Sequence, residues 1–266
     1  MGQVSGKMKT LEESIAAAMD YSQNVAIVPF LPYILQDFWE LGTPSEIVIN
    51  FVQKHSHVET GRIPSILDLG CGKGAVSVKL AATLKCYCYG IDGIPEFIET
   101  SKEKAQEYGV EALCRFEARD VREKINVLDK FDVIILGAIG WVFGDYYTTL
   151  KTLSKHLNPD GIIIINDAYI EDSSTFQYPS VLHRRELLKQ IKQAGMELIE
   201  EYSVAQTDSV TEFENMQKRC KELTAQHPDK TALFENYLQS QTYEYEALEN
   251  KMIGSIMTLK KQLIYV

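Results

Sequence analysis

Apolar and polar positions along the chain fall into three regimes, and each predicts a different kind of element. Between about residues 8 and 60 the apolar residues recur at helical spacing. The stretch "LEESIAAAMDY" comes first, then the looser aromatic run "VPFLPYILQDFWEL", then "TPSEIVINFVQKH". The last carries its own start signal, with Thr43 as a cap, Pro44 at the first helical position, Glu46 completing a T-x-x-E box, and Ile47, Ile49, Phe51 and Val52 as the apolar side. From Pro64 the pattern alternates. Strands are expected at "SILDLG", "KCYCYGID", "CRFEARD", "FDVIILGA", "GIIIIND" and "MELIEEYSVA", with helices at about 75 to 84, 96 to 108, 145 to 157 and 183 to 194. Val133 to Leu136 and Ile162 to Ile165 are apolar throughout, as in central strands covered on both faces, and "NPDG" (158 to 161) predicts a turn into the fifth strand. From about 207 to 260 the helical period returns, broken at "HPDK", and "QLIYV" closes the chain as a short last strand.

This order predicts an α/β protein with a doubly wound, mostly parallel sheet. Its divisions are an N-terminal helical cap over 1–60, a core over 61–205, a helical insertion over 206–260, and a last, seventh strand over 261–266. The insertion serves as a lid or contact surface, or merely packs on the sheet. Its apolar Leu233, Phe234, Tyr237 and Leu238 either fold back on the core or meet a second copy in a homodimer.

Composition narrows the function classes. With 266 residues, 45 % of them hydrophobic and 24 % charged, the chain suits one main domain with additions. A net charge of −10 with no Lys/Arg block argues against nucleic acid as partner. The N-terminus lacks a signal-peptide pattern and no segment is long enough to span a membrane, so a soluble, cytoplasmic protein is expected; Gly6 stands where a lipidation motif needs Ser or Thr. The five cysteines, Cys71, Cys86, Cys88, Cys114 and Cys220, read as reduced thiols. Cys86 and Cys88 face one side of a strand, but nothing completes a zinc set and no metal is expected.

The chemistry concentrates in "ILDLGCGKGAV", Ile66 to Val76. Gly70, Gly72 and Ala75 fit a dinucleotide loop, GxGxx(G/A). Asp68, Gly70, Gly72 and Gly74 fit DxGxGxG, which puts an acid beside the ligand. An anion there would crowd a pyrophosphate but suit a ligand bearing an ammonium group. Asp92 ends the second strand, placed to accept ribose hydroxyls with either ligand. Asp120 ends the third, where it can accept from an adenine amino group with Val121 against the ring. The small residues of "LGAIGW" leave room for a ligand tail at the fourth.

In this set the chain resembles the class I S-adenosylmethionine-dependent methyltransferases. "DLGCGKG", "GIDGIPEFIETSKEKAQEYG", "EARDV", "FDVIILGAIGW" and "LNPDGIIIIND" follow in that family's order and spacing over about Ile47 to Ala205. The resemblance implies a Rossmann-like sheet whose last strand runs antiparallel, with S-adenosylmethionine as cofactor and S-adenosylhomocysteine as product. It also implies that Asp68, Gly70, Cys71, Gly72 and Gly74 form the methionine-side loop, Asp92 holds the ribose, and Gly93 and Ile94 flank the adenine. Asp120 and Val121 would meet the adenine edge, and Gly137 and Ile139 the sulfonium side. The long insertion before the last strand departs from the family pattern.

For the acceptor, the segments after the fourth and fifth strands supply candidates, each with a plainer role. Trp141 and Phe143 would wall a substrate pocket or simply pack. Asp167, Tyr169 and His183 are candidate catalytic groups, although Asp167 could cap a turn and His183 a helix. Arg184, beside Arg185 in the first turn of a helix, opposes the helix dipole and would bind an acidic substrate group unless Glu186 neutralises the pair. Tyr21, Phe30, Tyr33, Phe38 and Trp39 would close over the cofactor or pack between helices. A small-molecule acceptor is expected, since "NDAYI" is not the N-P-P-(YFW) motif of amino-methylating DNA and protein families. A protein or peptide acceptor, a silent cofactor-binding fold and, remotely, an NAD-dependent dehydrogenase are the alternatives.

Overall fold

In the computed structural model the described residues are 9–19, 23–56, 61–204 and 209–262. Tyr21, Ala205 and most of "QLIYV" lie outside them. The chain opens with α1 (Leu11–Met19), a 3-10 segment at Val25–Phe30, the single turn α2 (Leu31–Ile34) and α3 (Ser45–His55). The alternating part follows as β1 (Ser65–Leu69), α4 (Ala75–Leu84), β2 (Tyr87–Asp92), α5 (Pro95–Glu107), β3 (Cys114–Ala118), α6 (Val121–Lys124), β4 (Phe131–Gly137), α7 (Tyr146–Leu153) and β5 (Leu157–Ile170). It continues with β6 (Leu182–His183), α8 (Arg184–Gln193), β7 (Met196–Ser203), the insertion helices α9 (Ser209–Gln226) and α10 (Thr231–Asn250), and β8 (Ile253–Lys261).

The strands lie in the order β3-β2-β1-β4-β5-β8-β7, with the two-residue β6 beside the end of β5. β1 to β5 are parallel, and β8 runs antiparallel to both of its neighbours. The chain winds from β1 out to β3 and then crosses to β4, so connections leave β1 and β4 in opposite directions and open a crevice at their carboxyl ends.

Period-two alternation sends neighbouring residues of one strand into different cores. Leu67, Leu69, Ile134, Leu136, Ile163 and Ile165 pack with Leu150 of α7 and Leu187 of α8. Ile66, Val133, Ile135, Ile162 and Ile164 pack on the other face with Phe51 of α3 and Leu80 of α4. A third core holds no strand residue. In it Ile27, Leu31, Ile34 and Leu35 of the cap meet Phe97 of α5 and Met216, Cys220, Phe234 and Tyr237 of the insertion. Cap and insertion therefore form one helical layer, and Phe234 and Tyr237, with Leu233 and Leu238 against them, fold back on their own chain.

Three local expectations are corrected. Thr43 does not cap α3: Pro44 is the N-cap, and Glu40 serves the helix start by accepting the Ser45 N–H at 3.3 Å and the Ser45 hydroxyl. Residues 158–160 do not end a turn before β5 but bulge within it, with Asp160 left-handed at φ 56° and the register shifting opposite Phe131 and Val133. The last strand is Ile253–Lys261 rather than 261–266. It is buried on both faces between β5 and β7, so Met252, Ile253, Ile256, Met257 and Leu259 show no strand alternation and imitate a helical stripe.

Candidate functional site

The crevice is lined by the turn from β1 into α4. Gly70, Gly72 and Gly74 all have left-handed φ, at 71°, 53° and 73°. Only the first two open toward it: a Cβ on Gly70 would come 2.3 Å from Ile139 Cγ2, and one on Gly72 would come 3.1 Å from Leu41 Cδ1. Gly74 instead faces Ser101 Cβ at 2.7 Å, so its missing side chain admits α5 against the start of α4. Asp68, Gly70, Cys71, Gly72 and Gly137 share one cavity of about 30 Å³ with Trp39, Leu41 and Thr43 of the cap.

Two carboxylates dominate the local electrostatics. Asp68 is 2 % exposed and accepts a hydrogen bond from Ser77 Oγ at 2.7 Å; among the described residues it has no ion pair. Burial, reinforced by the nearby charge of Asp92, pushes its pKa up to about 6. Asp92 accepts the backbone N–H of Gly72 and of Ile94, each at 2.9 Å, and so ties the glycine loop to the start of α5; burial raises its pKa too. Two adjacent desolvated acids without a cation are what a site built for a cationic ligand leaves behind.

The residues expected on the adenine side lie where β2 and β3 end. Gly93 packs against Ile15 and Leu11 of α1, and Ile94 and Val121 are buried. Asp120 caps α6 through the Arg122 N–H at 2.9 Å, and its carboxylate is gripped by the Arg122 guanidinium at 2.6 Å, which holds it below the usual carboxylate range. Arg122 also donates to the carbonyls of Lys9 and Thr10, anchoring α1 beside this edge.

The acceptor-side candidates are dispersed. Asn166 faces the cavity side, donating to Gly42 O and Thr43 Oγ1 at 2.9 and 3.0 Å. Its neighbour Asp167 points to the opposite face of the sheet, where it accepts from Tyr146 OH at 2.8 Å and from the Ala168 N–H at 2.7 Å. Burial raises the Asp167 pKa to about 6 and also raises that of the Tyr146 phenol. Tyr169 lies under the Arg184 guanidinium at 5.0 Å, and Arg184 itself pairs with Glu201 at 2.7 Å. Glu186 bonds Lys189 and Gln190 instead, so Arg184 is neutralised from β7 and not from its own helix. His183 directs Nδ1 to the Glu171 carbonyl at 3.2 Å. Phe143 packs at the rim of the α7 core, and the buried Trp141 indole nitrogen has no hydrogen-bond partner among the described residues.

Of the cap aromatics, Phe30, Tyr33 and Phe38 pack into the core shared with the insertion, while Trp39 lines the cavity. Sequence reasoning missed Ser77, Leu41, Asn166 and Tyr146, which no motif singles out as site residues, and read Thr43 only as a helix cap. Lys73 was visible inside the loop but carried no assigned role. The described residues contain no cluster of His, Cys, Asp and Glu able to hold a metal and no helix long and apolar enough to cross a membrane.

Comparison with known proteins matches residues 64–251 to a methyltransferase-domain family. A probable cobalt-precorrin-6B C(15)-methyltransferase (decarboxylating) of Methanothermobacter thermautotrophicus is 28 % identical over 113 residues, 42 % of this chain and 57 % of that protein. The ribosomal protein L11 methyltransferase of Thermosipho africanus is 31 % identical over 101 residues, 38 % of this chain and 36 % of that protein. The chain thus spans little more than half of one curated relative's length and about a third of the other's. In fold it is similar to a methyltransferase from Geobacter sulfurreducens solved with S-adenosyl-L-homocysteine, at TM-score 0.73 and 20 % identity over 88 % of this chain and 98 % of that one.

Proposed function

The chain belongs to the class I S-adenosylmethionine-dependent methyltransferase family, and on that premise we propose that it transfers the cofactor's methyl group to a small-molecule acceptor by in-line displacement. The observation that carries this reading is the pair Asp68 and Asp92, one buried and one half-buried acid near the ends of adjacent strands, neither paired with a cation among the described residues. The residues fit the cofactor: Asp68 would take its ammonium group, Gly70 and Gly72 would let the backbone approach its methionine part, and Asp92 would meet the ribose. Ile94 and Val121 would flank the adenine, with Asp120 at its edge, and Gly137 and Ile139 would border the sulfonium. When bound, S-adenosylmethionine supplies the activated methyl carbon.

The chain's own work is then to align a nucleophile and keep water out. Trp39, Leu41 and Thr43 cover the glycine loop, and the net charge of −10 favours a small acceptor over a nucleic acid. For an acceptor that must lose a proton, Asp167 held by Tyr146 is the candidate base: it lies across the sheet from the cavity, but on the face where Ile139, on the expected sulfonium side, packs against the same core as Tyr146, and its raised pKa suits proton transfer near neutrality. Tyr169, His183 and Arg184 are held by the partners already described. The relative that acts on a ribosomal protein motivates a second reading, a protein acceptor. Incubation with methyl-labelled cofactor against a metabolite panel and a peptide mixture separates the two. Label in metabolites is expected; label in peptides alone overturns the small-molecule assignment.

A further inference from the structure

Lys73 stands in the middle of the glycine loop and yet is 5 % exposed. Its ammonium turns into the cap, where it donates to the Leu35 carbonyl and, at 2.6 Å, to the Phe38 carbonyl, both just beyond the end of α2. Trp39 returns a bond from its indole nitrogen to the Lys73 carbonyl at 3.0 Å. The Phe97 ring centroid lies 5.6 Å from Nζ. The carboxylate whose charge reaches Lys73, Asp37, is taken by Arg219 of α9 at 2.6 and 2.7 Å. A lysine buried against carbonyls rather than a carboxylate is costly, and burial lowers its pKa to about 8.

What those bonds fix is the strip from Leu35 to Thr43. Its far end carries Trp39, Leu41 and Thr43, the residues that face Asp68, Gly70 and Gly72 across the cavity. Its outer side is held by α9 through Arg219 to Asp37, and α2 just before it is held by α9 through Tyr33 OH, which donates to Glu222 at 2.7 Å. The loop side is itself set by Asp92, which accepts the Gly72 N–H one residue before Lys73. The strip therefore lies between two clamps, and only the inner one belongs to the loop expected to touch the cofactor.

We propose that Lys73 is a positioning residue that latches the 35–43 strip over the cofactor loop, so that S-adenosylhomocysteine leaves only when its two carbonyl bonds break. The inference rests on the glycine loop holding that cofactor. The test is the release rate of labelled S-adenosylhomocysteine, chased with unlabelled compound, from wild type, Lys73→Met and Lys73→Arg. Trp39 emission is followed in each protein and identified by its loss in Trp39→Phe. Losing a charged donor to two carbonyls should speed release roughly tenfold or more in Lys73→Met and shift Trp39 emission to the red, with Lys73→Arg recovering most of both. Wild-type release and emission in a folded Lys73→Met would overturn the latch. If Lys73→Met does not fold, hydrogen exchange on wild type decides: amides of 35–43 should gain protection with S-adenosylhomocysteine, and unchanged protection refutes the proposal. Failure of wild type to bind the compound at all overturns the cofactor assignment and the latch together, whereas binding without a latch effect overturns the latch alone.

Discussion

Replacing Asp68 by Asn should make the protein more stable while weakening its hold on the cofactor. The wild-type carboxyl is buried and its pKa stands near 6 against an ordinary 3.8. The folded chain thus binds its proton more tightly than the unfolded one. Stability contributed by the protonated form is fully present below about pH 4 and is lost as pH rises through about 6. Two pKa steps correspond to about 3 kcal/mol, so at pH 7 the ionised group costs the fold up to about that much. In Asp68→Asn the amide oxygen still receives the Ser77 hydroxyl, but the new NH2 needs a partner and gives back about 1–2 kcal/mol. The net gain is about 1–2 kcal/mol, a rise in Tm of about 2–6 °C for a chain this long. Thermal unfolding from pH 4 to 8 checks it: the wild-type Tm should fall between pH 4 and 6 relative to the variant, and the two curves should cross. Loss of the anion should also weaken S-adenosylmethionine binding about 10- to 100-fold. A variant less stable at every pH, or one that binds the cofactor as wild type does, would refute the reasoning, because Asp68 would then be serving the fold and not a cationic ligand.

Gly70→Ala should abolish measurable cofactor binding and cost about 1–3 kcal/mol in denaturant unfolding, because a methyl there meets Ile139 at 2.3 Å and the backbone is left-handed. Tyr146→Phe removes the hydroxyl that lowers the Asp167 pKa, so the acidic limb of the methyl-transfer rate should move to higher pH; an unmoved limb excludes Asp167 as the base. Asp132, at the far end of β4, joins Arg62, the Ser65 N–H and Asn158 and is held down to about 2. Its contribution is present above the ordinary carboxylate range and lost as pH falls toward 2, so Asp132→Ala should lose about 2–4 kcal/mol at pH 7 in urea unfolding with cofactor affinity unchanged.

What the sequence made legible follows from where each signal is local. The glycine loop, Asp92 and the runs at Val133 and Ile162 could be placed because a strand end, a tight turn and a doubly covered strand each leave a short-range pattern. β8 was misplaced by its own burial, which erased the alternation that would have marked it. Glu40 took over the start of α3 from Thr43 because Thr43 is drawn into the crevice, where Gly137 leaves room for it and Asn166 bonds it. Asp167 was recognised as a strand-end acid, but its direction depends on strand parity and on a tyrosine 21 residues away. Arg184 found its counter-ion on a strand and not on its own helix. Lys73 shows the same limit at its strongest, since its meaning lies in two carbonyls 38 and 35 residues earlier in the chain.

The central claim, that the loop after β1 with Asp68 and Asp92 holds S-adenosylmethionine, is tested most directly by calorimetric titration of wild type and Asp92→Ala with S-adenosylmethionine, S-adenosylhomocysteine and NAD. The account predicts saturable binding of the first two to wild type, at least about a hundredfold weaker in the variant, because the hold of Asp92 on both backbone amides and its expected contact with the ribose are lost together. Binding of NAD alone, or equal binding of S-adenosylmethionine to both proteins, would contradict it.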